Sequence, residues 1–278
     1  LALSGVSSFI GGSIAIVGLT FFSPMLATFA IDFGPSEYFV LMVFAFGTVS
    51  ALMGASPVKS LVGITIGWMI GIVGVDSTTG VMRFNFGEAE LYDGVEFLTV
   101  IVGFFAVSEI MLMLEHHSQD DFEMPKITRI YVTMKELLMC KWTILRSSVI
   151  GFIVGVLPGT GASIASAVSY TLEQKINDKE NTFGKGDMRG LAAPESSNNA
   201  CAGGALIPML TLGVPGSATT AVLLGALMLY NINPGPMLFT EQPMLIWGLI
   251  ASMYVGNIML LVINFPMVRI FTKILQVP

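Results

Sequence analysis

GVLPGTGAS at residues 155–163 and GVPGSATT at residues 213–220 follow one pattern. In each, an apolar segment reaches Pro-Gly, and small glycine and hydroxyl residues then lead into a second apolar segment. Proline removes a backbone donor and ends the helix before it, and glycine permits a tight turn after it. Each segment is therefore predicted to interrupt a helix.

The surrounding composition is that of a membrane protein. Of the 278 residues, 54% are hydrophobic and only 12% are charged, whereas soluble domains carry about 25% charged residues. The formal net charge of −6 gives no support for nucleic-acid binding, which requires a basic patch. Cys140 and Cys201 match no metal-ligand spacing, so no metal site is expected. We predict an all-α polytopic membrane protein with re-entrant or discontinuous helices.

Apolar runs divide the chain into three parts. A hydrocarbon layer about 30 Å thick requires roughly 20 apolar residues of helix. Residues 1–115 are predicted to form membrane helices, beginning with a long span in which Pro24 marks a kink or a helix end. Residues 116–146 are predicted to be a cytoplasmic amphiphilic loop, and residues 147–278 a transport unit that contains both Pro-Gly breaks.

Basic residues set the predicted orientation. The loop at 116–146 carries five Lys and Arg residues, whereas the loop at 76–96 carries Arg83 against five acidic residues. Because cytoplasmic loops are enriched in Lys and Arg, the first loop is predicted to lie inside and the second outside.

The same rule bears on the first Pro-Gly break. The segment 147–170 is apolar, yet the stretch 173–189 that follows it again carries four Lys and Arg residues, beside four acidic residues. A re-entrant hairpin with its tip at 158–161 and arms of about ten residues keeps both flanking loops inside, so the rule favours a hairpin over a single crossing. For the second interrupted unit, 191–230, one discontinuous crossing and a hairpin plus a crossing both remain possible.

Interrupted helices in a membrane suggest a binding site, although a Pro-Gly break can also be a kink that serves packing alone. Irregular backbone at membrane depth survives only where protein or a watery cavity surrounds it. The helix that starts after each break presents free backbone N–H groups and the positive end of its dipole, which favours anions. Paired breaks of this kind point to a transporter binding site.

The predicted site has a substrate part and an ion part. The predicted substrate-binding residues are Pro158, Gly159, Thr160, Gly161, Ser163, Asn198, Asn199, Pro215, Gly216, Ser217, Thr219 and Thr220. The predicted ligands of a coupling ion, Na⁺ or H⁺, are the carbonyls of Val156, Leu157 and Val214 and the side chain of Glu195. For Glu195, the pattern favours the alternative of a solvated residue in the first turn of a helix. Asn257 and Asn264 are predicted to form interhelical hydrogen bonds.

The same motifs resemble the TctA family, the large permease subunit of tripartite tricarboxylate transporters. The resemblance rests on GVLPGTGA at 155–162, AAPESSNNA at 192–200 and LGVPGSATTAVLLGAL at 212–227. It also includes NPGP at 233–236 with the following LF at 238–239, and parts of the outer loop at 84–87 and 91–94. These motifs occur in the family's order along essentially the whole chain.

The resemblance implies a multi-pass permease of the bacterial inner membrane. It implies uptake of citrate or related carboxylates driven by an ion gradient, together with a small membrane subunit (TctB-like) and a periplasmic solute-binding protein (TctC-like). Such permeases are inverted-repeat transporters of about 500 residues, so we expect this chain to be a fragment that lacks the first Pro-Gly pair. Three other functions remain as alternatives: a non-transporting membrane scaffold, a transporter for a different small anion, and an intramembrane hydrolase using Ser163 or Ser217. No catalytic base lies within a span, so no enzyme is expected.

Overall fold

The computed structural model describes residues 2–52, 57–76, 80–116, 132–178 and 181–274. Helices dominate these residues, and a two-residue ribbon joins β1 (Gly74–Val75) to β2 (Met82–Arg83). The helices are α1 (Ala2–Ile31), α2 (Pro35–Leu52), α3 (Pro57–Gly71), α4 (Phe97–Val102), α5 (Ser108–His116), α6 (Met134–Val156), α7 (Gly161–Asn177), α8 (Met188–Gly204), α9 (Leu206–Leu212), α10 (Ala218–Leu229), α11 (Leu238–Glu241) and α12 (Pro243–Ile274).

The prediction of an all-α membrane protein is confirmed. Among the described residues, three helical stretches are long and apolar enough to cross a bilayer: α1, α6 and residues Pro243–Asn264 of α12. A π-helical stretch, Gly103–Val107, joins α4 to α5. Helix α1 continues through Pro24 to Ile31, so Pro24 does not end the helix.

Helix α8 lies at the centre of the described structure and packs against α1, α6 and α7. Small residues allow the close approach of these backbones. A Cβ atom built on Gly151 of α6 would lie 2.2 Å from the Ser197 carbonyl oxygen, and one built on Gly11 of α1 would lie 2.2 Å from that of Ser196. Close packing of small residues is a main source of helix association in membranes.

Helices α6 and α7 form an antiparallel hairpin around the first Pro-Gly break. Thr143 donates a hydrogen bond of 2.9 Å to Glu173, and both residues lie a similar number of positions from the turn. The chain therefore reverses direction at 157–160, as the charge pattern predicts.

The hairpin differs from the prediction in the length of its first arm. Helix α6 is 23 residues long rather than about ten, because it begins at Met134. Residues 134–146 are consequently helical, not part of a loop. The remainder of the predicted loop, 117–131, lies outside the described residues.

The second interrupted unit is one discontinuous segment. Helix α9 ends at Gly213, which has a left-handed backbone conformation (φ 70°). Helix α10 begins beside Ala205, just before the start of α9: a Cβ atom on Gly216 would lie 3.0 Å from the Ala205 Cα. The loop after α10 returns to the end of α9, where the Gly235 amide donates to the Leu210 carbonyl at 3.2 Å. Helices α9 and α10 therefore run in the same direction.

Helix α12 closes the bundle against α1. The Asn257 side-chain amide donates to the Ser13 hydroxyl at 2.9 Å and to the Phe9 carbonyl at 3.1 Å, and Tyr254 lies 3.0 Å from the Thr20 hydroxyl. The order of these pairs makes α1 and α12 antiparallel. The predicted interhelical role is confirmed for Asn257, whereas Asn264 is exposed.

Candidate functional site

The first break leaves the start of α7 without a side-chain cap. The Thr160 hydroxyl donates instead to the carbonyls of Val154 (2.6 Å) and Leu157 (3.0 Å) at the end of α6. Gly159 and Gly161 adopt left-handed backbone conformations with φ of 77° and 68°, which glycine accepts without strain. Because no side chain caps α7, its first backbone N–H groups remain available to another acceptor.

The second break starts α10 with a capping box. The Ser217 hydroxyl accepts from the Thr220 amide at 3.3 Å, and the Thr220 hydroxyl accepts from the Ser217 amide at 2.9 Å. The two hydroxyls also lie 3.1 Å apart. These contacts fix the helix start, while the amides of Ala218 and Thr219 have no acceptor within the helix.

The two helix starts lie next to each other, and the helices run in opposite directions. A Cβ atom on Gly216 would lie 3.0 Å from the Gly155 carbonyl oxygen, so the breaks are adjacent. From the break, α7 runs back towards the start of α8, and the Ser166 hydroxyl donates to the Pro194 carbonyl at 3.2 Å. Helix α10 runs parallel to α9, away from the start of α8. The positive ends of both helix dipoles therefore face the same region.

Both helix starts open onto one cavity of about 1140 Å³. Its walls also include parts of α1, α8 and α12. Most of the lining is apolar, and none of the described residues that line the cavity carries a charged side chain. Its polar groups are therefore hydroxyls, side-chain amides and backbone N–H groups.

The structure brings together seven of the predicted substrate-binding residues. These cavity-lining residues are Gly161, Ser163, Asn198, Asn199, Ser217, Thr219 and Thr220. Asn198 and Ser163 are exposed to the cavity, whereas Asn199 donates to the Glu195 carbonyl at 3.1 Å.

The other five predicted substrate-binding residues do not line the cavity. They are Pro158, Gly159, Thr160, Pro215 and Gly216. Thr160 is 5% exposed, and its hydroxyl is already committed to two carbonyls of α6, so it shapes the turn rather than the cavity wall. Gly216 is buried against Ala205 and serves close packing.

None of the four predicted ion ligands lines the cavity either. The Leu157 carbonyl accepts from Thr160, Val214 is buried and its amide donates to the Pro208 carbonyl at 3.2 Å, and Val156 packs on the hydrophobic core. Glu195 accepts from the Ser8 hydroxyl of α1 at 3.1 Å. Glu195 lies in the interior of α8, so its interpretation as a first-turn residue is wrong.

Sequence reasoning missed the contribution of α1 and α12 to the cavity. Gly12 of α1 and Gly256 and Asn257 of α12 line it. A Cβ atom on Gly12 would lie 2.8 Å from the Asn257 Oδ1 atom, so the glycine makes room for the amide. The pairing of a glycine with a half-buried Asn on two distant spans is not visible from either segment alone.

Comparison with known proteins gives two partial relatives, both from Agrobacterium vitis. An uncharacterized 52.8 kDa protein in the TAR-I ttuC' 3' region is 37% identical over 278 residues, which is all of this chain and 55% of the relative. An uncharacterized protein in the TAR-II ttuC' 3' region is 44% identical over 128 residues, covering 46% of this chain and 53% of the relative. The chain thus spans about half the length of the first relative.

No solved structure matches the chain. A family model matches it over residues 1–278, a range that includes both Pro-Gly breaks. The chain belongs to the tripartite tricarboxylate transporter TctA family.

Proposed function

We propose that this chain forms part of a permease that imports citrate-like di- or tricarboxylates across the bacterial inner membrane. The observation that carries the proposal is the pair of opposed helix starts, α7 and α10, on one uncharged cavity. Backbone N–H groups at helix starts bind carboxylates without a lysine or arginine. Asn198, Ser163 and Thr219 add hydrogen-bond donors on the same wall.

The charge balance of this cavity supports coupling to a cation. Each helix start carries the equivalent of about half a positive charge, so two of them supply about one. A tricarboxylate with three negative charges would keep about two uncompensated charges in an apolar cavity, and an unpaired charge there is costly. Entry together with about two Na⁺ or H⁺ ions offsets these charges and lowers the cost, and we propose that an ion gradient drives uptake.

We propose that the permease works with a small membrane subunit and a periplasmic solute-binding protein. Support comes from membership of a tripartite family. The bilayer then surrounds the exposed apolar faces of helices such as α1 and α12, and the binding protein delivers the carboxylate from the outer side.

Uptake of radiolabelled citrate by the full-length permease with its partner subunits tests the proposal. Thr219→Val and Ser163→Ala remove hydroxyls from the cavity wall at nearly constant volume, and we expect KM to rise by about 3- to 10-fold, the loss of one hydrogen bond. Thr171→Val is the matched control, because Thr171 is exposed on α7 and donates to its own helix at 2.8 Å. Unchanged KM values in both cavity variants would refute the site.

A Gly216→Leu variant would not distinguish loss of the binding site from misfolding, because its added side chain would meet the Ala205 and Gly155 backbones and disturb folding.

Coupling is tested separately by measuring citrate uptake at fixed pH with and without Na⁺, and at fixed Na⁺ across a pH series. Uptake that depends on neither gradient would contradict the charge argument.

A further inference from the structure

Residues 80–96, which we call the outer turn, form a compact structure between α3 and α4. The Val75 amide donates to the Tyr92 carbonyl at 3.0 Å, and the Gly94 amide donates a hydrogen bond to the Leu91 carbonyl at 3.2 Å, which closes the turn. Gly74 and Gly94 approach so closely that a Cβ atom on Gly74 would lie 2.8 Å from the Gly94 nitrogen. Arg83 pairs with Asp76 across the ribbon. The outer turn is therefore held in one shape by its own contacts.

This defined shape exposes four large apolar side chains. Val81, Met82, Phe84 and Phe86 are 57%, 53%, 58% and 83% exposed. Aromatic side chains usually dominate the buried surface of a fold or an interface. Here two rings project from a small turn.

Backbone strain accompanies the exposed rings. Phe84 and Phe86 both adopt the left-handed region with φ of 51°, which bulky residues rarely occupy and which costs of order 1 kcal/mol or more. Burial of the rings does not offset this cost within the described structure, because both are more than half exposed. Strained conformations of this kind concentrate at binding sites.

Acidic residues surround the apolar surface. Glu88, Glu90, Asp93 and Glu96 lie within ten residues of Phe86, and all four are exposed. Carboxylates oppose insertion of the turn into a bilayer that contains anionic lipid. An aromatic centre with a charged rim is instead the arrangement of a protein–protein interface.

We propose that the outer turn docks a soluble protein partner, with Phe84 and Phe86 entering an apolar pocket and the acidic rim meeting basic side chains. The orientation predicted from charge places this turn outside the membrane. Resting on the proposed function, the partner is the periplasmic solute-binding subunit of the same transporter, which must contact the permease on that side.

Binding of the purified solute-binding subunit to the full-length permease in nanodiscs tests this proposal. The double variant Phe84→Gly/Phe86→Gly removes both rings and suits the backbone, because glycine accepts a positive φ without strain. We expect Kd to rise at least tenfold while the Tm of the permease is unchanged or higher. Asn231→Gly is the matched control, since Asn231 has a φ of 56° in a different loop, and its Kd should equal that of the parent. An unchanged Kd in the double variant overturns the proposal.

The acidic rim and the bilayer are tested by two further measurements. Glu88→Gln/Glu90→Gln should lower the association rate several-fold and weaken its dependence on salt, and an unaltered rate and salt dependence would contradict the charge complementarity. In Phe86→Trp, tryptophan emission should shift to the blue only when the subunit is added. A blue shift without the subunit, quenched by brominated lipid, places the ring in the membrane and overturns the proposal.

These outcomes are independent of the carboxylate site. Citrate should raise the Tm of the full-length permease without any partner, both in the parent and in Phe84→Gly/Phe86→Gly. If the double variant binds the subunit as the parent does while citrate still raises the Tm, only the docking surface is refuted. If citrate does not raise the Tm, the result counts against the proposed function.

Discussion

Arg146 on α6 holds the buried carboxylate of Glu173 on α7 through two hydrogen bonds. Its Nε atom lies 2.7 Å from Oε1, and its Nη2 atom lies 3.0 Å from Oε2. Thr143 and Asn177 also donate to Oε2, at 2.9 Å and 2.6 Å. The Glu173 side chain is fully buried, whereas that of Arg146 is 39% exposed. The pair therefore fixes the register of the hairpin near the end opposite its turn.

We expect Glu173→Gln to destabilise the protein by about 2–3 kcal/mol. The variant leaves Arg146 without its counter-charge, and breaking a buried pair typically costs about 3–5 kcal/mol; the partial exposure of Arg146 reduces this figure. Thermal unfolding of the full-length protein in detergent measures the change. Glu241→Gln, at an exposed position of α11, serves as control, and equal Tm values for the two variants would contradict the role of the pair.

Gly151→Ala should disrupt the contact between α6 and α8. The added methyl group would lie 2.2 Å from the Ser197 carbonyl oxygen, so the helices must separate, at a cost of about 1–3 kcal/mol. Gly248→Ala on α12 is the matched control because no atom lies within 4 Å of its added Cβ, and alanine favours a helix by about 1 kcal/mol over glycine. In thermal unfolding, Gly151→Ala should therefore lower the Tm, whereas Gly248→Ala should raise it. A stabilised Gly151→Ala protein would exclude close packing at this contact.

The positions of both helix breaks were predictable because they depend on local backbone chemistry. Pro158 and Pro215 lack the donor that a helix requires, and the glycines beside them allow the chain to turn. The hairpin at the first break was predictable from charge, because only a reversal leaves both basic flanks on one side of the membrane.

The charged start of α6 illustrates where a hydrophobicity pattern fails. Lys135 and Lys141 lie among apolar residues, which resembles a loop at a membrane surface, yet the helix begins at Met134. A local signal was present: Thr133 and Glu136 have the spacing of a capping box, and the structure contains that box.

Two other features depend on contacts that a sequence does not display. Helix α8 is rich in Ala, Ser, Asn and Gly, and its burial depends on the matching glycines of α1 and α6. The Thr160 hydroxyl lies between the carbonyls that end α6 and the amides that start α7, and only the geometry of the turn makes it donate to α6 instead of accepting from α7.

Ser217→Ala should destabilise α10 by about 1 kcal/mol, because alanine cannot accept the hydrogen bond from the Thr220 amide. Ser217→Gly should cost only a few tenths of a kcal/mol, since glycine is tolerated at a helix N-cap. Amide hydrogen exchange in the first turn of α10 measures the difference locally. Equal protection in the alanine variant and the parent would indicate that the capping box contributes nothing.

The loop before α8 should give the protein a stability that depends on acid pH. Hydrogen bonds from the Arg189 side chain, together with those from the Arg189 amide and the Thr182 hydroxyl, lower the pKa of Asp187 from its ordinary 3.8 to about 2. A carboxyl group whose pKa is lower in the folded state stabilises that state above its ordinary pKa, and the effect disappears as the pH falls towards the folded value. The stabilisation is therefore complete at neutral pH and fades between about pH 5 and pH 2.

Asp187→Asn should cost about 2 kcal/mol at pH 7, because each unit of pKa shift corresponds to about 1.4 kcal/mol. The Asp187 side chain is only 6% exposed, so solvent screens this interaction little. The difference in unfolding free energy between parent and variant should shrink steadily when thermal or denaturant unfolding is repeated from pH 6 down to pH 3. Asp93→Asn, in the exposed outer turn, should leave the stability close to that of the parent throughout. A constant gap for Asp187→Asn across this range would mean that the carboxylate acts through its shape and neutral hydrogen bonds rather than through its charge.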